Sequence, residues 1–320
     1  MADETLQANA RAAISGEAVA GAPADGRPAT SLPSRVLAVA NQKGGVGKTT
    51  TVINLAACLA ELGRRILVVD LDPQCNATSG LGRAPAPGTS LYHALLGHGE
   101  ALALIQPTAF KDLDLLPSEL DLAGAEVDIA RAEGYLHCFR NALRPIVEQG
   151  LYELILVDCP PSLGILTMNA LAAADSVLIP MQCEYYALEG LSVMTRLAQR
   201  LRESGANPTL QIEGILMTMY DGRLRLGGDV VREVTRFFGD KVYDTIVPRN
   251  VRLSEAPSFG KPVVFYDNDS SGSRAYRLLA QEFLRRRGAA CDAATAEELV
   301  AGKGAPATVA SILAQGQPEG

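Results

Sequence analysis

No apolar run in this 320-residue chain approaches the roughly 18 residues that a helix needs to cross a bilayer. The first residues show no basic stretch followed by an apolar one, so no secretory signal is expected. Six cysteines occur, Cys58, Cys75, Cys138, Cys159, Cys183 and Cys291, and none forms a Cys-x-x-Cys pair. Their scatter argues against a disulfide framework or a zinc site and fits reduced thiols in a cytoplasmic protein. No internal repeat is visible. Hydrophobic residues make up 48% of the chain, enough for one core of about 250 residues plus tails.

Charge is unevenly spread. The net charge is −7, yet residues 196–287 hold 16 Lys/Arg against 11 Asp/Glu, leaving 13 against 25 elsewhere. Such asymmetry marks either a surface for a polyanion or solvated helix faces. Residues 1–33 are rich in Ala, Gly and Pro without a sustained period and read as a disordered tail; 288–320 read as a flexible tail with short Ala-rich pieces of helical character.

Between the tails, residues 34–287 alternate strand-like and helical stretches. RVLAVA (35–40), RILVVD (65–70), LYELILVD (151–158), SVLIPM (176–181), LQIEGILMTM (210–219) and VYDTIV (242–247) read as strands, with DLDLLP (112–117) weaker. Helices are expected over 49–62, 186–204 and 228–238. Continuous Val/Ile/Leu content predicts strands covered on both faces, hence an α/β doubly wound fold with a mostly parallel sheet. Ligands of such sheets bind at the carboxyl ends of the strands.

The first strand leads into NQKGGVGKTTT at 41–51 and then a helix. Gly44, Gly45 and Gly47, with Val46 between them, let backbone amides approach phosphate oxygens, and the helix N-terminus favours an anion. Lys48 would reach the β- and γ-phosphates, the Thr49 hydroxyl would take Mg²⁺, and Thr50 completes the loop. The usual phosphate-loop pattern has Gly at the position of Gln42; a second lysine, Lys43, precedes the glycines instead. After the second strand, VVDLDPQ carries Asp70 and Asp72. Asp72 would position water or hold Mg²⁺ through water, or alternatively cap a turn. Asp158 ends an apolar strand, where a phosphate-loop ATPase has its second Mg²⁺ contact, through water.

KGGVGKTT, DLDPQ, DCPPS and PRNVRLSEAPSFGKP together resemble the ParA/Soj partition ATPases, over about residues 35–287. The resemblance implies an ATP- and Mg²⁺-dependent homodimer that binds double-stranded DNA nonspecifically. Release would follow hydrolysis stimulated by a ParB-like partner, with the protein cytoplasmic and nucleoid-associated. It makes Lys43 the lysine that reaches the partner subunit's nucleotide, Asp72 the hydrolytic aspartate, and Pro248 to Asn250 a loop beside the adenine. It makes Arg223 a DNA contact, with Arg225 and Arg252 as further candidates, although the YDGRLRLG loop departs from relatives that carry asparagine there. Arg232 and Arg236, four apart on the helical stretch VVREVTRFF, form an exposed stripe that reads as phosphate-facing or simply solvated.

A membrane-bound positioning ATPase like MinD would need a basic amphipathic C-terminal helix; this tail sets Lys303 against Glu297 and Glu298, so no membrane contact is expected. A redox iron protein would need cluster-ligating cysteines, and Cys138 and Cys159 are wrongly placed. An amide synthase of the same fold would carry an added domain for which this chain has no room. A regulator of polysaccharide export, flagellar number or division site remains the alternative. No N-terminal helix-turn-helix is visible, so operator binding is not expected.

Overall fold

The computed structural model describes residues 34–184, 187–289 and 306–315. The Val/Ile/Leu runs become the strands of one seven-stranded sheet: β1 Arg35–Val39, β2 Ile66–Asp70, β3 Gln106–Pro107, β4 Leu113–Leu116, β5 Leu154–Asp158, β6 Ser176–Gln182 and β7 Gln211–Thr218. Their order across the sheet is β3-β4-β2-β5-β1-β6-β7, and every pairing is parallel except that of β3 with β4. The doubly wound α/β fold expected from the alternation is the fold observed.

The longer helices are α1 Lys48–Glu61, α2 Leu122–Ile129, α3 Cys138–Gln149, α4 Ile165–Ala173, α5 Ala187–Glu203, α6 Arg225–Phe238, α7 Ser271–Arg286 and α8 Val309–Gln315. Because side chains alternate along a strand, each strand feeds two cores. Val36, Ala38, Val69, Ile155, Val157 and Ile179 join the core under α3 to α6. Leu37, Val39, Val68, Leu154, Leu156 and Leu178 join the one under α1 and α7. All five residues of β2 and of β5 are buried, as parallel strands between two helical layers must be.

Two expectations change. VYDTIV at 242–247 runs beside β7 without becoming a strand. Tyr243 N donates to Ile215 O and Val247 N to Met217 O, each at 2.9 Å. Between them the amides of Asp244 and Thr245 donate instead to the Glu282 carboxylate, at 2.8 and 2.9 Å. A side chain has taken the hydrogen bonds a ladder would use. The helix expected at 228–238 starts at Arg225, and of its expected apolar face Val230, Val231 and Val234 are buried while Phe237 is 65% exposed.

Of the tail expected at 288–320, residues 288, 289 and 306–315 are described, and 306–315 are docked. Val309 and Ile312 of α8 are buried against α6, and Thr308 bridges Thr245.

Candidate nucleotide site and arginine surface

The loop from Asn41 to Gly47 joins β1 to α1 and is held from the neighbouring strands. Asn41 Nδ2 donates to Pro180 O at 2.7 Å, and Gln182 Nε2 donates to Gly45 O at 2.8 Å. The buried Thr218 hydroxyl lies 2.8 Å from Val46 O and 3.0 Å from Met181 O. Gly45 and Gly47 adopt φ of 72° and 86°, a region where an L side chain would be strained. Gly47 is the N-cap of α1, so the first amides of that helix have no side-chain cap. These are the donors an anion would satisfy.

Lys48 is buried, and among the described residues its ammonium donates to the Lys43 carbonyl, at 3.3 Å. Burial lowers its pKa, against the pull of Asp158, Cys159 and Asp72. Asp158 is fully buried, and neither carboxylate oxygen has a hydrogen-bond partner. Burial first, then the Asp70 carboxylate, raises its pKa well above the ordinary range. The Thr49 side chain opposes this from nearby without meeting full hydrogen-bond geometry. A buried carboxylate without a donor costs several kcal/mol, of order 1–3 or more, unless a cation meets it. Asp158 with Thr49 therefore fits a hydrated Mg²⁺. Among the described residues no three His, Cys, Asp or Glu side chains cluster to hold a metal alone, so such an ion would draw its other ligands from phosphate and water.

Asp70 and Asp72 divide their work. Asp70 accepts from Thr78 N at 2.8 Å and Thr78 Oγ1 at 2.7 Å, and burial lifts its pKa to about 6. It anchors the short helix Asn76–Gly80 to the end of β2. Asp72 Oδ1 accepts from Gln74 N at 2.9 Å, so the turn-capping alternative is realised. Yet the same carboxylate feels the charge of Lys48, which lowers a pKa that burial raises. The two readings of Asp72 are thus compatible, one oxygen for the turn and the carboxylate beside the phosphate lysine.

The Lys43 side chain is half-exposed. Its Nζ pairs with Glu184 at 2.6 Å on the surface. Pro248 pairs with Tyr220, and Asn250 caps the helix Val251–Glu255 through Oδ1 while its Nδ2 donates to Ser271 Oγ at 2.6 Å. Sequence reasoning did not anticipate Asn54, whose side chain ties Thr50 O to Val263 N across α1. Nor did it anticipate the pocket of about 410 Å³ beside it, lined among others by Thr49, Thr50, Asn76, Pro257 and Lys261.

The arginines are less free than their spacing implied. Arg223 is 86% exposed but forms a two-pronged pair with Asp221, at 2.8 and 2.6 Å, which drives the Asp221 pKa down to about 2. Arg225 is exposed at the start of α6. Arg252 faces Glu255 at 2.8 Å and Asp267 at 3.0 Å, and Arg232 faces Asp229 at 2.5 Å. Arg286 and Arg287, at the end of α7, are built into the fold. Arg286 pairs with Glu282, and Arg287 with Glu213 at 2.7 Å.

A glycine loop between strand and helix, a lysine in the first helical turn and carboxylates at the ends of parallel strands define a P-loop nucleoside triphosphatase. A family model described as AAA domain matches residues 34–212. The chain is 49% identical over 255 residues to the chromosome partitioning protein ParA of Caulobacter vibrioides, covering 79% of this chain and 95% of that one. It is 50% identical to the sporulation initiation inhibitor protein Soj of Bacillus subtilis, covering 78% and 97%. Among solved structures it resembles cobyrinic acid a,c-diamide synthase from Mycobacterium smegmatis with bound ADP and magnesium. That match has 38% identity, a TM-score of 0.69, and coverage of 80% and 96%. This chain belongs to the ParA/Soj family of chromosome-partitioning ATPases. The synthase match spans nearly all of its own chain, so length does not argue against an amide synthase; the identity to partition proteins does. Among the described residues no helix is long and apolar enough to cross a membrane.

Proposed function

We propose that the protein is an ATP- and Mg²⁺-dependent switch in chromosome or plasmid segregation. It dimerises on ATP, binds DNA nonspecifically and is reset by a ParB-like partner that accelerates a slow intrinsic hydrolysis. The observation that carries this reading is the buried Asp158 carboxylate, which among the described residues has no hydrogen-bond partner, beside Lys48 and Thr49 at the start of α1. Lys43, half-exposed and paired with Glu184 on the surface, would serve a second subunit as an arginine finger does in trans.

In the site, the amides of residues 44–50 and Lys48 would hold phosphates, Thr49 and Asp158 the Mg²⁺, and Pro248 to Asn250 would flank the adenine. Bound Mg²⁺ would supply charge neutralisation at the phosphates. Asp72 orients or deprotonates water, and the Asx turn with Gln74 fixes its carboxylate for that task.

DNA would be held by Arg223 and Arg225, with Arg252 contributing less because two carboxylates already compensate it. One subunit offers few phosphate contacts, and nonspecific affinities lie at about 10⁻⁴–10⁻⁶ M. A dimer makes the second contact intramolecular. The protein is accordingly placed in the cytoplasm on the nucleoid. The test titrates the protein onto random duplex at several salt concentrations with ATP and with ADP, and measures turnover alone and with DNA plus partner. ATP-dependent, salt-sensitive binding and stimulated turnover are expected. Equal binding in both nucleotides, or fast turnover by the isolated monomer, would refute the switch.

A further inference from the structure

The first turn of α6 carries Arg225 and follows the Arg223 loop; it is closed by Gly227 N donating to Leu224 O at 3.2 Å, and no side chain caps it. Its N-cap, Leu224, makes no side-chain cap, and no acidic residue stands in the first turn. Gly227 and Gly228 occupy that region, and glycine is the poorest helix former after proline. Arg225 adds a positive charge at the positive end of the helix dipole. Each of these features favours fraying.

Tertiary contacts supply what the sequence withholds. Gly227 lies under the Tyr220 ring, close enough that a Cβ there would sit 3.2 Å from it. Gly228 faces Arg232 and Ile312 of α8: a Cβ there would be 3.5 Å from Arg232 Nη1 and 3.8 Å from Ile312 Cγ2. Unlike the start of α6, α8 is well specified locally. Thr308 and Ser311 cap each other reciprocally: Ser311 N donates to Thr308 Oγ1 at 3.1 Å and Thr308 N to Ser311 Oγ at 3.0 Å. Asp244 takes the next two amides, Val309 N on its carbonyl and Ala310 N on its carboxylate, both at 2.8 Å. Asp244 is itself placed by its own amide on Glu282. The segment is thus seated by hydrogen bonds at one end and by buried Val309 and Ile312 along its face.

We propose that residues 306–315 are a clasp that orders the first turn of α6 and so sets the Arg223–Arg225 loop. A well-capped helix lends order to a poorly capped one, through Ile312 packed on Gly228. The consequence for DNA rests on the function proposed above; the ordering of the turn does not.

The experiment compares the full-length protein with the double variant Val309→Ser, Ile312→Ser. Amide hydrogen exchange over residues 224–232 is expected to accelerate roughly tenfold, because local opening no longer breaks the clasp contacts. ATP binding is expected to stay unchanged, and retention on random duplex with ATP to fall several-fold. Gly228→Ala in the variant background should restore both exchange protection and DNA retention, because alanine raises helix propensity where the space allows it. A merely destabilised fold would instead accelerate exchange in the sheet strands β1 and β5 as much as over 224–232. Unchanged exchange over 224–232 would overturn the clasp. Accelerated exchange with unchanged DNA retention would sustain the clasp and overturn the arginine surface instead.

Discussion

The Thr218 hydroxyl, at the end of β7, lies 2.8 Å from the carbonyl of Val46 in the middle of the phosphate loop. Strand and loop are 172 residues apart in sequence, and this contact sets the height of the loop against the sheet. Thr218→Val keeps the shape and removes the proton, leaving a buried carbonyl short of a partner. ATP affinity, measured by calorimetry, is expected to fall roughly tenfold, about 1.4 kcal/mol. An unchanged affinity would mean the loop is held by Gln182 and Asn41 alone.

Asp158 predicts an inverted pH dependence in the absence of nucleotide. Its pKa is raised by burial and by Asp70, whose own pKa stands at about 6. A carboxyl with a raised folded pKa holds its proton more tightly in the folded state than in the unfolded one. Its contribution is full below the ordinary carboxylate range and is lost as pH rises through the folded value. Without nucleotide, Asp158→Asn should melt above the wild type at pH 7, with the gap closing below about pH 4. With ATP and Mg²⁺ the order should reverse, since the variant would lose the proposed metal contact. A variant less stable than wild type at pH 7 without ligand would show that Asp158 is already paired.

Asp72→Ala removes both a turn cap and a carboxylate beside Lys48. Loss of the cap should lower stability by about 1 kcal/mol. ATP binding should persist, because Lys48 and the loop amides do not depend on Asp72. Chromatography with ATP and Mg²⁺ should find the variant trapped as a dimer without turnover. A monomer unable to bind ATP would leave Asp72 with the turn alone.

Arg223 and Asp221 should respond in opposite directions. Arg223→Glu is expected to abolish DNA retention while ATP-driven dimerisation survives. Asp221→Asn releases the guanidinium from its carboxylate, so DNA affinity at low salt should rise and the salt slope steepen by up to about one per subunit. If both variants bind as the wild type does, the DNA surface lies elsewhere.

Arg287, at the end of α7, pairs with Glu213 and stacks over Phe283. Burial alone would raise the Glu213 pKa; Arg287 and Ser176 more than reverse this, so the pair stabilises the fold above the carboxylate range. Arg287→Ala should cost about 3 kcal/mol by leaving Glu213 half-buried and unpaired. DNA retention per folded molecule should not change.

The phosphate loop, its lysine and its strand-end carboxylates were legible because each depends on a short contiguous run, Lys43 to Thr50, Asp70 to Asp72, Leu154 to Asp158. Strand identity followed from apolar content wherever both faces are covered. The reading failed at Tyr243 to Val247, because Glu282, distant in sequence, takes the amides a strand would have paired. It also missed β3, two residues long and antiparallel on β4, too short to carry a pattern. The docking of Val309 and Ile312 was invisible for a similar reason: two apolar residues in an Ala-rich stretch have no period to read.

By itself, then, the sequence determined the fold class, the glycine loop between β1 and α1 and which residues are candidates to meet phosphate and metal, since backbone geometry and hydropathy act over a few neighbouring positions. Only the tertiary structure decided which arginines keep their charge for a ligand. A guanidinium's availability depends on which carboxylate the folded chain brings within about 3 Å of it. Glu213 meets Arg287 across 74 residues and Asp267 meets Arg252 from another element, separations that no local pattern encodes, whereas Asp221 lies two residues from Arg223.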